Sequence, residues 1–329
     1  MRRRAGTVLT AALLVLAVLA GCSGEAEGPA EGAGTGTGGP GTSPSATVRP
    51  TDPALPPTPA PTTGGPTTSR PAAPAPGRPT TTRPAPDRTP TRRPASGARW
   101  QPRPGLSWQW QLDGRVDPSV DVPVYDIDGF ENSAADVARL HRDGRKVICY
   151  VNVGAWEDYR PDRDAFPDSV LGGPNGWHGE RWLDIRRVDV LRPLMERRFD
   201  MCRDKGFDAV EPDLVEGYGN DTGFPLTADD QLRYNRMIAE IAHERGLAVG
   251  LKNDLPQIPQ LVDHFDFAVN EECAQFDECG LLEPFVAAGK AVFHVEYEET
   301  PSRFCPRSRS LRLSSMLKNP ELDVWRKPC

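Results

Sequence analysis

Eight short apolar runs of strand type recur between residues 106 and 317: LSWQWQ (106–111), VPVYDID (122–128), RKVICYVN (145–152), FDAVEPDL (207–214), LAVGLKND (247–254), FDFAVNEE (265–272), KAVFHVEY (290–297) and SLRLSSML (310–317). Stretches between several of them carry helix signals. In ENSAADVARLHRDGRK, Asn132 or Ser133 is the expected cap, Ala134, Val137, Ala138 and Leu140 make an apolar stripe, and Gly144 is the stop. In TADDQLRYNRMIAEIAHERG, Thr227 with Asp230 three residues on opens a helix that stops at Gly246. Helices closed by glycine directly before an apolar strand are αβ units, and eight such strands predict an α/β fold, a (β/α)8 TIM-type barrel. The runner-up is an open doubly wound sheet. No GxGxxG or GxxxxGK[ST] loop follows a strand, which weakens a nucleotide-binding reading.

Six of the runs are apolar at the front and polar at the back. They end in Asp126 and Asp128, in Asn152, in Asp213, in Lys252 and Asn253, in Asn270, Glu271 and Glu272, and in Glu296 and Tyr297. In a parallel barrel these ends meet at one rim, where barrel enzymes hold their sites. One or two such endings could come from strands that run out into solvated loops; six together point to a site. Pro212, inside AVEPD, cannot donate to a ladder, so regular pairing is expected to fail there, at the mouth.

The ends of the chain fix its surroundings. Met1-Arg2-Arg3-Arg4 precedes an apolar run from Val8 to Ala20, the pattern of a secretory signal. The run is too short for a bilayer span, which takes about 20 residues. Leu19-Ala20-Gly21-Cys22 resembles the bacterial lipobox, so residues 1–21 are expected to be removed and Cys22 to carry lipid. The expected location is the extracellular face of the cell membrane. Residues 22–97 are rich in Pro, Thr, Gly, Ala and Ser. The first 97 residues hold 18 of the 35 prolines and no aromatic residue, a composition that predicts a disordered stalk. Residues 98–329 form the expected single domain. It carries 29 basic and 41 acidic residues, a formal net of −12, which should repel nucleic acid and favour a cationic partner. A monomer is expected. Beyond Cys22 there are six cysteines, an even number that suits an exported, disulfide-bonded domain. No closely spaced Cys or Cys/His set suggests a metal, and His141, His178, His243, His264 and His294 lack ligand spacing; neither metal nor cofactor is expected.

Carboxylates beside aromatic rings are the equipment of glycoside hydrolysis: one acid protonates the leaving oxygen, the other attacks the sugar or activates water. Trp108, Trp110, Tyr150, Trp156, Tyr218 and Tyr297 are the aromatics near the expected rim, with Trp108 and Trp110 equally suited to the core. No GxSxG elbow is present.

The segments SWQWQLDG, VYDIDGF, CYVNVGAWEDYRPD, GFDAVEPDLVEGY, GLKND and AVNEECAQFDECG together resemble the catalytic domain of glycoside hydrolase family 114, over about Trp108 to Trp325. That resemblance implies an endo-α-1,4-polygalactosaminidase on a (β/α)8 barrel, with catalytic acids on the fourth and sixth strands. These are Asp213 in EPDLVEGY and Glu271 in NEEC. By analogy with retaining α-glycosidases, Asp213 is the nucleophile and Glu271 the general acid/base. Trp108, Asp126, Tyr150, Asn152, Tyr218, Lys252 and Glu296 are expected to line the sugar subsite. The rival readings are a non-catalytic carbohydrate-binding barrel and a hydrolase of neutral α-glycans. One local conflict stands: alternation groups Ala268, Asn270 and Glu272 on one face of the sixth strand, and on its own would send Glu272 inward; a bulge would restore Glu271. The expected disulfides are Cys149–Cys202, from the outward face of the third strand to its covering helix, Cys273–Cys279 around a rim loop, and Cys305–Cys329.

Overall fold

The computed structural model describes residues 99–329; the expected signal, Cys22 and the whole of the expected stalk lie outside them. All eight runs form strands, parallel and hydrogen-bonded in sequence order. They are β1 (Trp108–Gln111), β2 (Val124–Asp128), β3 (Lys146–Asn152), β4 (Ala209–Asp213), β5 (Ala248–Lys252), β6 (Phe267–Glu271), β7 (Val292–Glu296) and β8 (Ser314–Leu317). A two-residue strand, β9 (Lys327–Pro328), adds to β8 antiparallel. The curled, nine-stranded, mostly parallel sheet is of the TIM-barrel kind.

Helices α1 (Ala134–Arg142), α2 (Val188–Lys205), α3 (Ala228–Glu244), α4 (Ile258–Leu261), α5 (Glu283–Ala287) and α6 (Pro301–Ser310) fill the connections from β2 onward. Two caps show why they start where they do. Ser133 caps α1 and Thr227 caps α3, each in a capping box with the aspartate three residues on, Asp136 and Asp230. Each box satisfies backbone donors that the first helical turn leaves free. The connection from β3 to α2 holds an excursion that the sequence did not reveal. It is a three-stranded antiparallel sheet of Ala155–Glu157, Glu180–Leu183 and Leu171–Pro174.

Two cores follow from strand alternation. Tyr125, Ile127, Val147, Cys149, Val151, Val210, Val249 and Leu251 face the helices. Trp108, Trp110, Val124, Ile148, Ala209, Ala248, Phe267, Val269, Phe293 and Met316 fill the interior. The interior is dominated by rings: Trp108 lies 4.9 Å from Phe293, centroid to centroid, and Phe293 lies 5.7 Å from Phe267. Phe267 fits because its neighbour is Gly250, where a Cβ would stand 2.4 Å from the Phe267 ring. The hydrogen-bonded order stops at β1 on one side, and side chains close the seam. The Trp108 indole donates to the Ser314 carbonyl of β8 (2.8 Å). The C-terminal segment fills the rest: Leu112 N–H donates to Leu322 O (3.0 Å), and the Gln109 amide to Val324 O (2.8 Å).

Disulfides Cys149–Cys202, Cys273–Cys279 and Cys305–Cys329 join β3 to α2, close the loop after β6, and tie α6 to the C-terminal residue. The expectation at Pro212 needs correction. Pairing of β4 with β3 continues through Val151↔Pro212 to Asn152↔Asp213, whereas pairing with β5 ends at Val210↔Val249. The ladder therefore opens on one side only.

Candidate active site

The same alternation that puts Ala209, Ala248, Phe267 and Val269 inside carries Asp213, Lys252 and Glu271 inside too, each as the last residue of its strand. β4, β5 and β6 are neighbours, so the three side chains converge. Lys252 Nζ lies 2.8 Å from Asp213 Oδ1, 3.0 Å from Glu271 Oε2 and 3.6 Å from Glu211 Oε1. Exposure grades upward from the floor: 0% for the Glu211 side chain, 3% for Lys252, 14% for Asp213 and 25% for Glu271. The Lys252 ammonium also lies 5.1 Å from the Trp110 ring centroid. The Tyr150 hydroxyl donates to Asp213 Oδ2 (2.7 Å), and the Tyr297 hydroxyl donates to Glu271 Oε1.

Electrostatics separates these groups. Burial would raise the Asp213 carboxyl, but the charge and hydrogen bond of Lys252 and the Tyr150 hydroxyl hold it below the usual range. Burial would lower Lys252, yet Asp213, Glu271 and Glu211 hold it well above its ordinary value, and it stays charged. Beneath them Asp126 and Glu211 lie side by side, both fully buried. Burial, joined for Asp126 by the charge of Glu211, raises both, so this pair retains a proton where Asp213 does not. Burial and the charge of Asp213 push Glu216 up to about 8, and burial pushes Asp254 up to about 8.

The backbone turns sharply just past each converging residue. Leu214 after Asp213, Asn253 and Asp254 after Lys252, and Glu272 after Glu271 have φ of 58°, 46°, 46° and 61°. Non-glycine residues in this left-handed region cost of order 1–3 kcal/mol each, and such strain gathers where a site must be held against the chain's local preference. Asn253 also acts as a clamp: its Oδ1 accepts from the Glu271 N–H (2.9 Å) and from the Asn270 amide (3.2 Å). Gly154 lets the β3 loop close over β4, because a Cβ there would sit 1.7 Å from the Leu214 carbonyl oxygen.

Above this floor opens a cavity of about 1220 Å³. Tyr150, Asp213, Tyr218, Lys252 and Glu271 line it as expected from the sequence. Four other expected residues do not. Trp108 is 1% exposed and belongs to the interior ring stack; its neighbour Trp110 reaches the cavity instead. Asp126 lies beneath the floor, against Glu211. Asn152 is spent on structure: its Oδ1 accepts from the Ala155 N–H (2.8 Å) and its amide donates to Glu180 (3.3 Å). Glu296 shares the parity of Val292 and His294, so it faces the helices, accepting from the Ala274 N–H and paired with His294, each at 2.8 Å. No bulge is needed for Glu271, since it has the parity of Phe267 and Val269; the conflict arose from taking the Ala268 face as the interior.

Other residues of the site were missed. Glu180 enters the cavity from the excursion, where Asn175 and Tyr159 donate to it at 2.8 and 3.0 Å. Arg160, also lining the cavity, forks onto Asp128 at 2.6 and 3.1 Å. Tyr159, Trp177 and Phe276 line the mouth and are 54%, 66% and 62% exposed. A three-strand excursion leaves no barrel-period signal. Only the Trp/Tyr content of GAWEDYRPD could have pointed to it.

The glycoside-hydrolase family GH114 matches residues 89–329. Aspergillus fumigatus Ega3, solved in complex with galactosamine, is 42% identical, with 71% of this chain and 99% of that chain covered and a TM-score of 0.68. The glycoside hydrolase domain of PelA from Pseudomonas aeruginosa shares the fold at 16% identity, with 67% and 97% covered and a TM-score of 0.54. No curated protein matches the chain.

Proposed function

The chain belongs to glycoside hydrolase family GH114, and from that premise we propose that it is an endo-acting hydrolase of α-1,4-linked, galactosamine-rich polysaccharide, with Asp213 as nucleophile and Glu271 as general acid/base. The observation that carries this reading is the single ammonium of Lys252 held between two carboxylates on alternate strands. Lys252 keeps Asp213 ionised, the state a nucleophile needs. Both facing oxygens lie within 3.0 Å of that one ammonium, an approach compatible with the carboxyl separation of about 5–5.5 Å used in retention.

In the first step Glu271 gives its proton to the glycosidic oxygen as Asp213 bonds to the anomeric carbon and the bond to the leaving sugar breaks. In the second, Glu271 takes a proton from water, whose oxygen displaces Asp213. The Tyr150 and Lys252 contacts to Asp213 orient the attacking oxygen throughout. Endo action is supported by the cavity, larger than the 300–1,000 Å³ typical of one small ligand, and by the exposed rings of Tyr159, Trp177 and Phe276 at its mouth. The substrate class is supported by the galactosamine bound to Ega3 and by a cavity lined by many carboxylates against the basic Arg160 and Lys252.

Purified protein incubated with partly deacetylated α-1,4-galactosamine polymer should give oligomers by mass spectrometry. Asp213→Asn and Glu271→Gln should each lower the rate by at least about 10²–10⁴-fold while remaining folded. Near-normal turnover by folded Glu271→Gln on a substrate with a poor leaving group would defeat the assignment. The same loss in Glu272→Gln but not in Glu271→Gln would move the role by one residue. We further propose that the chain is held at the outer face of the membrane by lipid on Cys22, with residues 22–97 as a tether, as the lipobox-like LAGC and the proline-rich composition suggest. Cys22→Ser should then release the protein or block its processing.

A further inference from the structure

Two of the cavity acids that the mechanism leaves unused lie close in sequence to residues that it does use. Glu216 follows Asp213 by three residues, and Asp254 follows Lys252 by two. Both line the cavity. Asp254 is 3% exposed, and the consecutive left-handed residues Asn253 and Asp254 (both φ 46°) present it there. Asn235 of α3 donates to Asp254 Oδ2 (2.9 Å), while the Tyr218 hydroxyl lies against the carboxyl. Asp254 Oδ1 and Glu216 Oε2 are buried atoms with no hydrogen-bond partner among the described residues.

A buried carboxyl oxygen without a partner is costly unless a ligand supplies one. The cation that reaches Glu216 is Lys252, already shared by Asp213, Glu271 and Glu211. The other charged groups facing Glu216 are the acids Asp213, Asp254 and Glu271. Facing Asp254 are the acid Glu216, the hydrogen-bonding Tyr218 hydroxyl and the neutral amide of Asn235. The missing partner is a cationic donor that arrives from the cavity.

We propose that Glu216 and Asp254 together form the subsite for the ammonium group of a 2-amino sugar, placed beside the catalytic acids. This rests on the hydrolase reading for its choice of ligand. It goes beyond it in assigning amine recognition to two residues rather than to the general charge of the cavity. Charge-assisted hydrogen bonds from the ammonium would satisfy both free oxygens. An N-acetyl group offers neither the charge nor a set of three donors, so the subsite discriminates by what it leaves unpaired.

The arrangement has a signature that a merely structural acid lacks. Both carboxyls are raised to about 8, by burial in each case and in Glu216 also by the charge of Asp213. Near neutral pH they are mainly protonated, and an ammonium bound between them would expel a proton. Asp213, held ionised, would release none.

The test is calorimetry of galactosamine binding at about pH 6.5, where an amine of this kind is cationic, in two buffers of different ionisation enthalpy. Wild-type protein should release protons on binding. Glu216→Gln and Asp254→Asn should each reduce that release and weaken galactosamine about tenfold. Binding without proton release, or unchanged release in both folded variants, overturns the assignment. Polymer cleavage on the same samples separates the two proposals. Cleavage by wild type with unchanged release in both variants defeats this subsite and leaves the hydrolase standing. Proton-linked binding lost in both variants, in a protein that cuts no galactosamine polymer, supports the subsite and defeats the hydrolase.

Discussion

Two buried groups of charges lie a few residues apart and are built on opposite rules. Behind the excursion, Arg160 and Arg198 join Asp128, Glu157 and Asp162. Arg160 reaches Asp128 at 2.6 Å and Glu157 at 2.7 Å. Arg198 reaches Asp162 at 2.8 Å, Glu157 at 3.3 Å and the Asn152 carbonyl. The guanidinium groups also lie over Phe130, at 4.8 and 5.4 Å from its centroid. Every acid there has a guanidinium partner. At the strand ends the balance is reversed: Lys252 alone serves Asp213, Glu211 and Glu271, while Glu216 and Asp254 keep unpartnered oxygens. The first group fixes the excursion against β3 and α2; the second is left short of positive charge, which is what a cationic substrate would bring. Paired charge holds shape, and unpaired charge that opens on the cavity, unlike that of the sealed Asp126 and Glu211, is where a ligand can supply a partner.

If that contrast is right, Arg198→Met should give the largest change in stability. It removes one of the two guanidinium partners of buried Glu157 and the arginine partner of half-buried Asp162, at a cost of about 1.5–3 kcal/mol measured by urea unfolding. If the stability is unchanged, the outer network is ornamental. Lys252→Met attacks the other group and should act on chemistry instead, lowering kcat by about 10²–10³-fold. Near-normal kcat there would remove Lys252 from the account.

A gentler test follows stability against pH. Glu216 and Asp254 have folded-state pKa values of about 8, above the ordinary 4.5 and 3.8. The folded state therefore holds their protons more tightly. Their contribution to stability is full below about pH 4 and is lost as pH rises through about 8, at up to about 1.4 kcal/mol per pH unit for each group. Urea unfolding at several pH values should show that decline in wild type and a flatter profile in the double variant Glu216→Gln/Asp254→Asn. The smallest effect expected is at the mouth. Trp177→Ala should raise KM for long chains severalfold, about 1 kcal/mol of stacking, with little change on short oligomers. An equal effect on both lengths would remove Trp177 from a distal subsite.

The sequence showed depth along a strand better than it showed direction. Asp213, Lys252 and Glu271 were legible because each closes an apolar run, and the caps at Ser133 and Thr227 because their partner aspartates sit three residues on. Asp126, Asn152 and Glu296 close apolar runs equally well, yet Glu296 faces the helices, Asp126 is sealed under the floor and Asn152 anchors a turn. Which parity faces inward depends on how the rings of Trp108, Phe267 and Phe293 fill the interior, a property of eight strands at once. The left-handed turns at Leu214 and Glu272 were hidden for a different reason: neither residue type favours that conformation, and tertiary structure imposes it. Asn253 and Asp254 are of types that tolerate it, and there the sequence did hold a hint.

The most direct test of the central claim, that unpaired carboxylates select an ammonium-bearing chain, is kcat/KM of the wild-type enzyme on fully deacetylated and fully acetylated polymer across a range of ionic strength. The account predicts faster cleavage of the deacetylated chain at low salt, with the preference shrinking as salt screens the cavity. Equal kcat/KM on the two polymers at every ionic strength would contradict it.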